Sequence, residues 1–355
     1  MLVEILSSFG LSAGQYSFHK LNSGLINSTW KVLGEECEYI LQQVNTHVFK
    51  SPGDIIRNIR SLDCFLAKHY PDYLFISPVL STEGTYLVEN PHGEVYRLMP
   101  FVKGSKTIET VNTTPEAFEA AQQFGRFTAN LSLFDADELM YTLPDFHNLK
   151  LRYDQLDAAI KTAGEERLTA ASSLINEALN YKGIVETYET IINKQTIPLR
   201  VIHHDTKISN VLFDADHHGL CVIDLDTVMP GYFISDLGDM MRTYLSPANE
   251  EERDLSKVMV RTNFFGAIVS GYFTEMAKVL TSAEKDLIIY SGKFMIYMQA
   301  VRFLTDFLNR DIYYTTSYPL HNLIRAKNQF KLLNEYFLAE PALAIILDQL
   351  IEAQS

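Results

Sequence analysis

The sequence predicts an α+β chain in two lobes, a β-rich N-terminal lobe followed by a larger helical one. Three observations carry this expectation. The first hundred residues alternate short runs of strand-forming residues with turn-forming stretches and hold one amphipathic segment. From Thr113 onward apolar residues recur at helical spacing. A single island of short apolar strands, residues 199–226, interrupts that helical part.

In order, residues 15–21 and 30–33 are strand-type runs separated by the turn-rich stretch NSGLINST, and residues 37–44 offer a third strand after Gly34-Glu35-Glu36. Ser51-Pro52-Gly53-Asp54 is a helix start, with Ile55, Ile56, Ile59, Leu62, Phe65 and Leu66 forming one stripe. Strands at 85–89 and 94–101 are joined by the turn Asn90-Pro91-His92-Gly93. A helix opens at Thr113, where Pro115 suits a first turn. Helical periodicity then covers 149–160, 166–192, 251–280, 285–309 and 322–339. The island carries the strands VIHH, VLF and LCVID. With the join near Phe101 and Gly104, the expected lobes are residues 1–102 and 103–355.

Composition narrows the function. The 355 residues are 47% hydrophobic and 21% charged, an ordinary globular balance that excludes wholesale disorder. Thirty basic against forty-four acidic residues give a net charge of −14, which argues against a nucleic-acid backbone as the main partner. Apolar runs such as 264–273 and 342–347 fall short of a bilayer span. In MLVEILSSFG an acidic residue stands where a signal peptide carries basic ones. Cys37, Cys64 and Cys221 are odd in number and widely spaced, so neither a disulfide framework nor a zinc ribbon is expected. These features together predict a cytoplasmic protein. Net charge bears on solubility and not on oligomeric state.

The chemistry concentrates in the island. His203-His204-Asp205-Thr206-Lys207-Ile208-Ser209-Asn210 is followed by Val222-Ile223-Asp224-Leu225-Asp226. Asp205 follows a strand, and Asn210 comes five residues later on the same loop. Asp224 and Asp226 lie at i and i+2 at the end of a strand, so both carboxylates are expected to leave the same face of the sheet. A carboxylate, an amide oxygen and one or two further carboxylates then meet, a hard-oxygen set that suits Mg²⁺. HxDxxxxN followed by an apolar strand ending in Asp is the catalytic-loop and metal-aspartate spacing of phosphoryl transfer on a kinase-type fold. The blander reading makes Asp205 and Asn210 turn residues bonding their own backbone. His203 reads as a packed strut, and His217-His218 as part of the DADHHG hairpin turn rather than a transition-metal site.

The run HHDTKISNVLFD…CVIDLDTVMPGYFISDLGDMMR resembles the aminoglycoside phosphotransferase/choline kinase superfamily of small-molecule kinases. The TK inside the loop, DLDTVMPG and DLGD…R are similar to one branch, the N-acetylhexosamine 1-kinases, as are GLINSTW, YILQQVNTHVFKSP and RFLTDFLNRDIYY. The resemblance runs from about Gly24 to Leu333. It implies a bilobal protein-kinase-like fold, ATP as co-substrate, Mg²⁺, and the anomeric hydroxyl of GlcNAc or GalNAc as acceptor. By it Asp205 is the catalytic base and Asn210 and Asp224 are the Mg²⁺ ligands. Asp226 either joins the metal shell through water or helps bind the sugar. Asp236 would brace the catalytic loop from the next helix, a role compatible with an N-cap.

On the nucleotide side, Gly24, Asn27, Ser28 and Thr29 fall at the family's phosphate-covering turn, although GxGxxG is absent. Met99-Pro100-Phe101-Val102 resembles the segment joining the lobes; since Pro100 has no N–H, Phe101 or Val102 would donate to adenine. Gln42 stands where protein kinases place the phosphate-pairing lysine, so either Mg²⁺ and another cation neutralise the phosphates or ATP binds less tightly. Arg302 and Asp306 are spaced as a surface i,i+4 ion pair, while the resemblance puts Arg302 in the sugar pocket. Arg242 reads as a partner for Asp239. Another small acceptor (choline, an aminoglycoside, a different sugar), a catalytically silent nucleotide-binding module and a metal-dependent hydrolase stay open beside the hexosamine kinase.

Overall fold

In a computed structural model of the chain, the described residues are 2–21, 26–35 and 37–354. A short helix α1 (Leu2–Ser8) precedes the strands β1 (Ser17–Leu21), β2 (Ser28–Leu33) and β3 (Glu38–Val44). Helix α2 (Pro52–His69) follows, then β4 (Val88–Glu89) and β5 (Val95–Pro100). These strands form one antiparallel sheet in the order β1-β2-β3-β5-β4. Alternation buries Val32, Leu41, Tyr96 and Leu98 on one face, where Ile5, Leu6 and Phe9 cover them. On β4 only two residues pair. Upstream, the Thr85 N–H donates to Ser81 Oγ and the Thr85 hydroxyl to the Leu87 carbonyl, holding residues 81–87 as a turn.

The larger part begins with α3 (Thr114–Asn130), capped by Thr113 and Glu116 in a reciprocal box. Helices α4 (Leu149–Thr162), α5 (Glu165–Asn180) and α6 (Gly183–Lys194) follow. The expected single helix over 166–192 is thus two, broken at Tyr181 and Lys182. The island yields three short strands, β6 (Arg200–Ile202), β7 (Val211–Phe213) and β8 (Gly219–Val222), to which the chain adds β9 (Met229–Gly231) as the partner of β6. Next come α7 (Phe233–Tyr244), α8 (Thr262–Met276), a single turn α9 (Ser282–Lys285), α10 (Ile288–Leu308) and α11 (His321–Glu352).

Two helix expectations need correction. Residues 251–261 are not α-helical and hold only a 3₁₀ turn at Leu255–Lys257, and polar groups here turn to α11: the Arg325 guanidinium donates to Glu251, and Asn328 Nδ2 donates to the carbonyls of Asn249 and Glu252. Conversely α11 runs past Pro341 to Glu352 instead of ending near residue 339. Buried Leu343 and Leu347 hold its last turns on the core, where proline alone would have stopped the helix.

One large apolar cluster joins α3, α7, α8, α10 and α11. Its Gly271 lies where a Cβ would collide with the Phe118 carbonyl, which lets α3 and α8 approach closely. Helix α2 belongs to this cluster through Ile55, Ile59, Leu62 and Leu66, and its buried Asn58 bonds the backbone at Met140 and Val228. The helix nearest the sheet in sequence is therefore anchored to the larger part. No helix among the described residues is long and apolar enough to cross a membrane.

Candidate active site

The site is built on the loop between β6 and β7. Buried Glu284 grips the guanidinium of Arg200 by two bonds, Nε to Oε1 at 2.7 Å and Nη2 to Oε2 at 2.8 Å, fixing the strand that leads into it. Asp236, in the first turn of α7, accepts the backbone N–H groups of His203 and His204 at 2.8 and 2.7 Å. It is not the helix N-cap, which is Tyr232; its carboxylate holds the loop instead. Burial pushes the Asp236 carboxyl up to about 6 despite those two donors. Asp239 takes the Thr206 N–H at 3.0 Å, and the Tyr244 hydroxyl donates to the Thr206 carbonyl. Arg242 pairs with Asp239, as expected, and also with Glu250.

His204 has a φ of 65°, a left-handed conformation unusual for a residue with a Cβ. Its ring fills the space above Gly231, where any Cβ would clash with it. Burial, with neighbouring His203, pushes the His204 imidazole down to about 3. Folding therefore excludes a proton that the unfolded chain takes up below about pH 6.5. The stability contributed by neutral His204 is complete above that pH and is lost as pH falls toward 3, by about 1.4 kcal/mol per pH unit. Asn tolerates left-handed φ, so His204→Asn isolates this contribution. In denaturation curves between pH 7 and pH 4 the wild type should lose stability relative to the variant; parallel losses would show a protonated His204 in the fold. His203 is the expected strut: its Nε2 bonds the Ile223 carbonyl at 2.8 Å, and its carbonyl accepts the Thr227 hydroxyl.

Asp205 and Asn210 meet on this frame. Asn210 Nδ2 donates to the Asp205 carbonyl and to Oδ2, both at 2.9 Å, and Lys207 Nζ reaches the same oxygen at 2.9 Å. Burial raises the Asp205 carboxyl, but the Lys207 ammonium and the Asn210 amide outweigh it and hold the group below its ordinary value. The Ile223 N–H donates to the Asn210 carbonyl at 2.8 Å, which brings Asp224 beside them.

The loop after β8 departs from the expected strand geometry. β8 ends at Val222, Asp224 has a φ of 61°, and residues 225–227 form a 3₁₀ turn. The i, i+2 alternation of a strand therefore ends before Asp226. No hydrogen bond reaches the Asp224 carboxylate among the described residues, and burial together with the Asp226 charge pushes it up to about 6. With its amide nitrogen committed to Asp205, Asn210 has Oδ1 left to offer. A half-buried carboxylate without a hydrogen bond among the described residues and an amide oxygen form a hard donor pair that fits Mg²⁺. Asp226 is committed to the N-terminal part, with Oδ1 accepting Arg97 Nη1 and Oδ2 accepting Asn27 Nδ2 at 2.8 Å.

Other expected residues are distributed unevenly. Ser28 and Thr29 belong to strand β2 and not to the turn, and Thr29 is buried; Gly24 lies outside the described residues. The Phe101 N–H donates to the Glu38 carbonyl, which removes it as the adenine donor. The Val102 N–H has no backbone partner among the described residues. Gln42 accepts from Arg97 Nε at 2.9 Å. His217 and His218 sit in the hairpin turn, as expected; His218 lies with Asp214 and Asp216 on its exposed surface.

Arg302 does not pair with Asp306. Asp306 accepts the backbone N–H groups of Tyr313 and Tyr314 at 2.8 and 2.9 Å and the Asn322 amide at 2.9 Å. The loop after α10 is thereby bent back so that Arg302 lies 5.3 to 5.8 Å from the rings of Phe146, Tyr313 and Tyr314. Phe146 stacks on His147, whose ring is 5.2 Å from that of His204. Burial, then His204, Arg302 and Arg152, push His147 well below the ordinary range. Arg97, His147 and Arg152 were not legible as site residues, because only tertiary packing brings them here.

A kinase-type catalytic loop behind an antiparallel sheet defines a phosphotransferase. The chain belongs to the phosphotransferase enzyme family, which matches residues 17–258. Among solved structures it is similar to a spectinomycin phosphotransferase in complex with ADP and spectinomycin, at 14% identity over 96% of this chain and 97% of that one, with a TM-score of 0.61. It is similar also to a microcompartment-associated aminopropanol kinase (18% identity, 97% of each chain, TM-score 0.59). A choline kinase from Cryptosporidium parvum Iowa II shares 12% identity over 99% of this chain and 96% of its own, with a TM-score of 0.54.

Proposed function

We propose that the protein transfers the γ-phosphoryl group of ATP to the anomeric hydroxyl of an N-acetylhexosamine, GlcNAc or GalNAc, giving the sugar 1-phosphate. Residues 1–102 serve as the nucleotide-binding lobe and 103–355 as the catalytic and acceptor-binding lobe. Asp205 orients the acceptor hydroxyl and takes its proton, and Lys207 keeps that carboxylate ionised at neutral pH. Asn210 and Asp224 would hold Mg²⁺, which when bound neutralises phosphate charge. Val102 would offer its N–H to adenine.

The observation that carries the acceptor reading is the charge of the aromatic cluster around Arg302. Arg152 and Arg302 are close enough for each to oppose the other's charge, and neither is in an ion pair among the described residues. Buried Arg152 Nε has no partner among them. Two unneutralised guanidiniums repel a cationic acceptor and suit hydroxyl or N-acyl oxygens, while the rings pack on a sugar face. A second reading, an amino-alcohol acceptor, is favoured by the structural likeness to aminopropanol and choline kinases.

Incubation with Mg-ATP and a mixture of free sugars, choline and an aminoglycoside, followed by phosphorus NMR, tests both. A new anomeric phosphate on an acetamido sugar is expected; a phosphocholine or phosphoaminoglycoside signal overturns the sugar assignment. Arg302→Ala should raise the acceptor KM by about 10- to 100-fold, the loss of one or two charge-assisted hydrogen bonds, while the ATP KM stays put.

A further inference from the structure

The lysine missing at Gln42 has a structural replacement. Strands β3 and β5 pair in a register that sets Gln42 directly opposite Arg97. Arg97 is 2% exposed, its Nε donates to Gln42 Oε1, and its Nη1 donates to Asp226, which is equally buried. In a protein kinase the lysine of this sheet pairs with a glutamate on the helix that follows. Here α2 carries no glutamate; its Asp63 pairs with Arg60, and its buried polar residue is Asn58. Both halves of the usual pair are absent from their usual places, and a buried cation–carboxylate pair stands one strand over.

We propose that Arg97 is a positioning residue for the nucleotide–metal end of the site, replacing the absent lysine by holding Asp226 and with it the loop that carries Asp224. Two N-terminal groups share that carboxylate. Arg97 takes one oxygen, and Asn27 takes the other while its own Oδ1 accepts the Asn45 N–H. The strand edge that approaches the phosphates, β5 and the metal loop are thereby tied through one carboxylate. Without the guanidinium the buried Asp226 carboxylate would lose its one cationic partner among the described residues, and its charge, added to that of Asp224, would weaken nucleotide binding.

The inference rests on the reading of the chain as an Mg-ATP-dependent kinase, and its test needs no acceptor. Calorimetric titration with Mg²⁺ and a non-hydrolysable ATP analogue is run on wild type, Arg97→Gln and the exchanged pair Gln42→Lys/Arg97→Gln, each with its melting temperature. Arg97→Gln should weaken analogue binding at least tenfold, and the exchange should recover it to within about threefold, since Gln42 lies opposite Arg97 and touches the guanidinium that bonds Asp226. Binding by Arg97→Gln within twofold of wild type overturns the inference. If that variant does not fold, the exchanged pair decides: restored folding and binding support the role, and a folded but non-binding or an unfolded pair overturns it. Failure of the wild type itself to bind the analogue would instead overturn the kinase reading.

Discussion

Asp205→Asn is expected to lower turnover by at least 10²- to 10⁴-fold, the range lost when a positioned proton acceptor is removed. Asparagine keeps an oxygen that can accept from Lys207 or Asn210, both of which now bond Asp205 Oδ2, so the loop should hold its shape. Asp224 and the amide oxygen of Asn210 are untouched, and Mg-ATP binding should persist within a few-fold. Turnover and calorimetric nucleotide affinity, measured on the same preparation, check this. A variant that turns over normally would remove Asp205 from the chemistry. Loss of nucleotide binding in parallel with turnover would mean that Asp205 holds the loop or the metal and is not the base.

Asp236→Ala should destabilise the fold by about 3 kcal/mol, because it orphans the buried N–H groups of His203 and His204. The relief from burying a carboxylate offsets part of that loss, since burial already pushes Asp236 up to about 6. The damage should extend to catalysis. Left-handed His204 precedes Asp205, and once its N–H is released the strained backbone can relax and carry the base out of place. Asp236→Asn keeps one acceptor oxygen and should lose less on both counts. Urea denaturation and turnover of the two variants give the comparison; an alanine variant within about 1 kcal/mol of wild type would show that the loop is held by Thr206, Asp239 and Tyr244 instead.

Much of the site was legible because phosphoryl-transfer loops are local. Asp205, Lys207 and Asn210 lie within six consecutive residues, and their mutual hydrogen bonds follow from that spacing once β6 ends. The turn joining β4 and β5 was legible too, with Gly93 in the left-handed conformation that closes it. Legibility stopped where a side chain is claimed by something distant. Arg302 and Asp306 have ion-pair spacing, yet Asp306 is taken by the amides of Tyr313 and Tyr314. Asp224 and Asp226 have strand spacing, yet a left-handed residue turns the chain between them. Phe101 was available as an adenine donor until the Glu38 carbonyl on the neighbouring strand bonded it.

By itself the sequence determined a two-part α+β chain, a kinase-type catalytic loop and the residues at its centre, since periodicity and contiguous spacing are properties of the chain alone. Only the tertiary structure decided how that loop is held and charged. Asp226 is separated by 129 residues from Arg97 and by 199 from Asn27, and both contacts exist only because the fold brings the N-terminal strands to the loop after β8. A buried carboxylate needs a partner wherever one can be found, and the partner's position is set by packing, which no local pattern records.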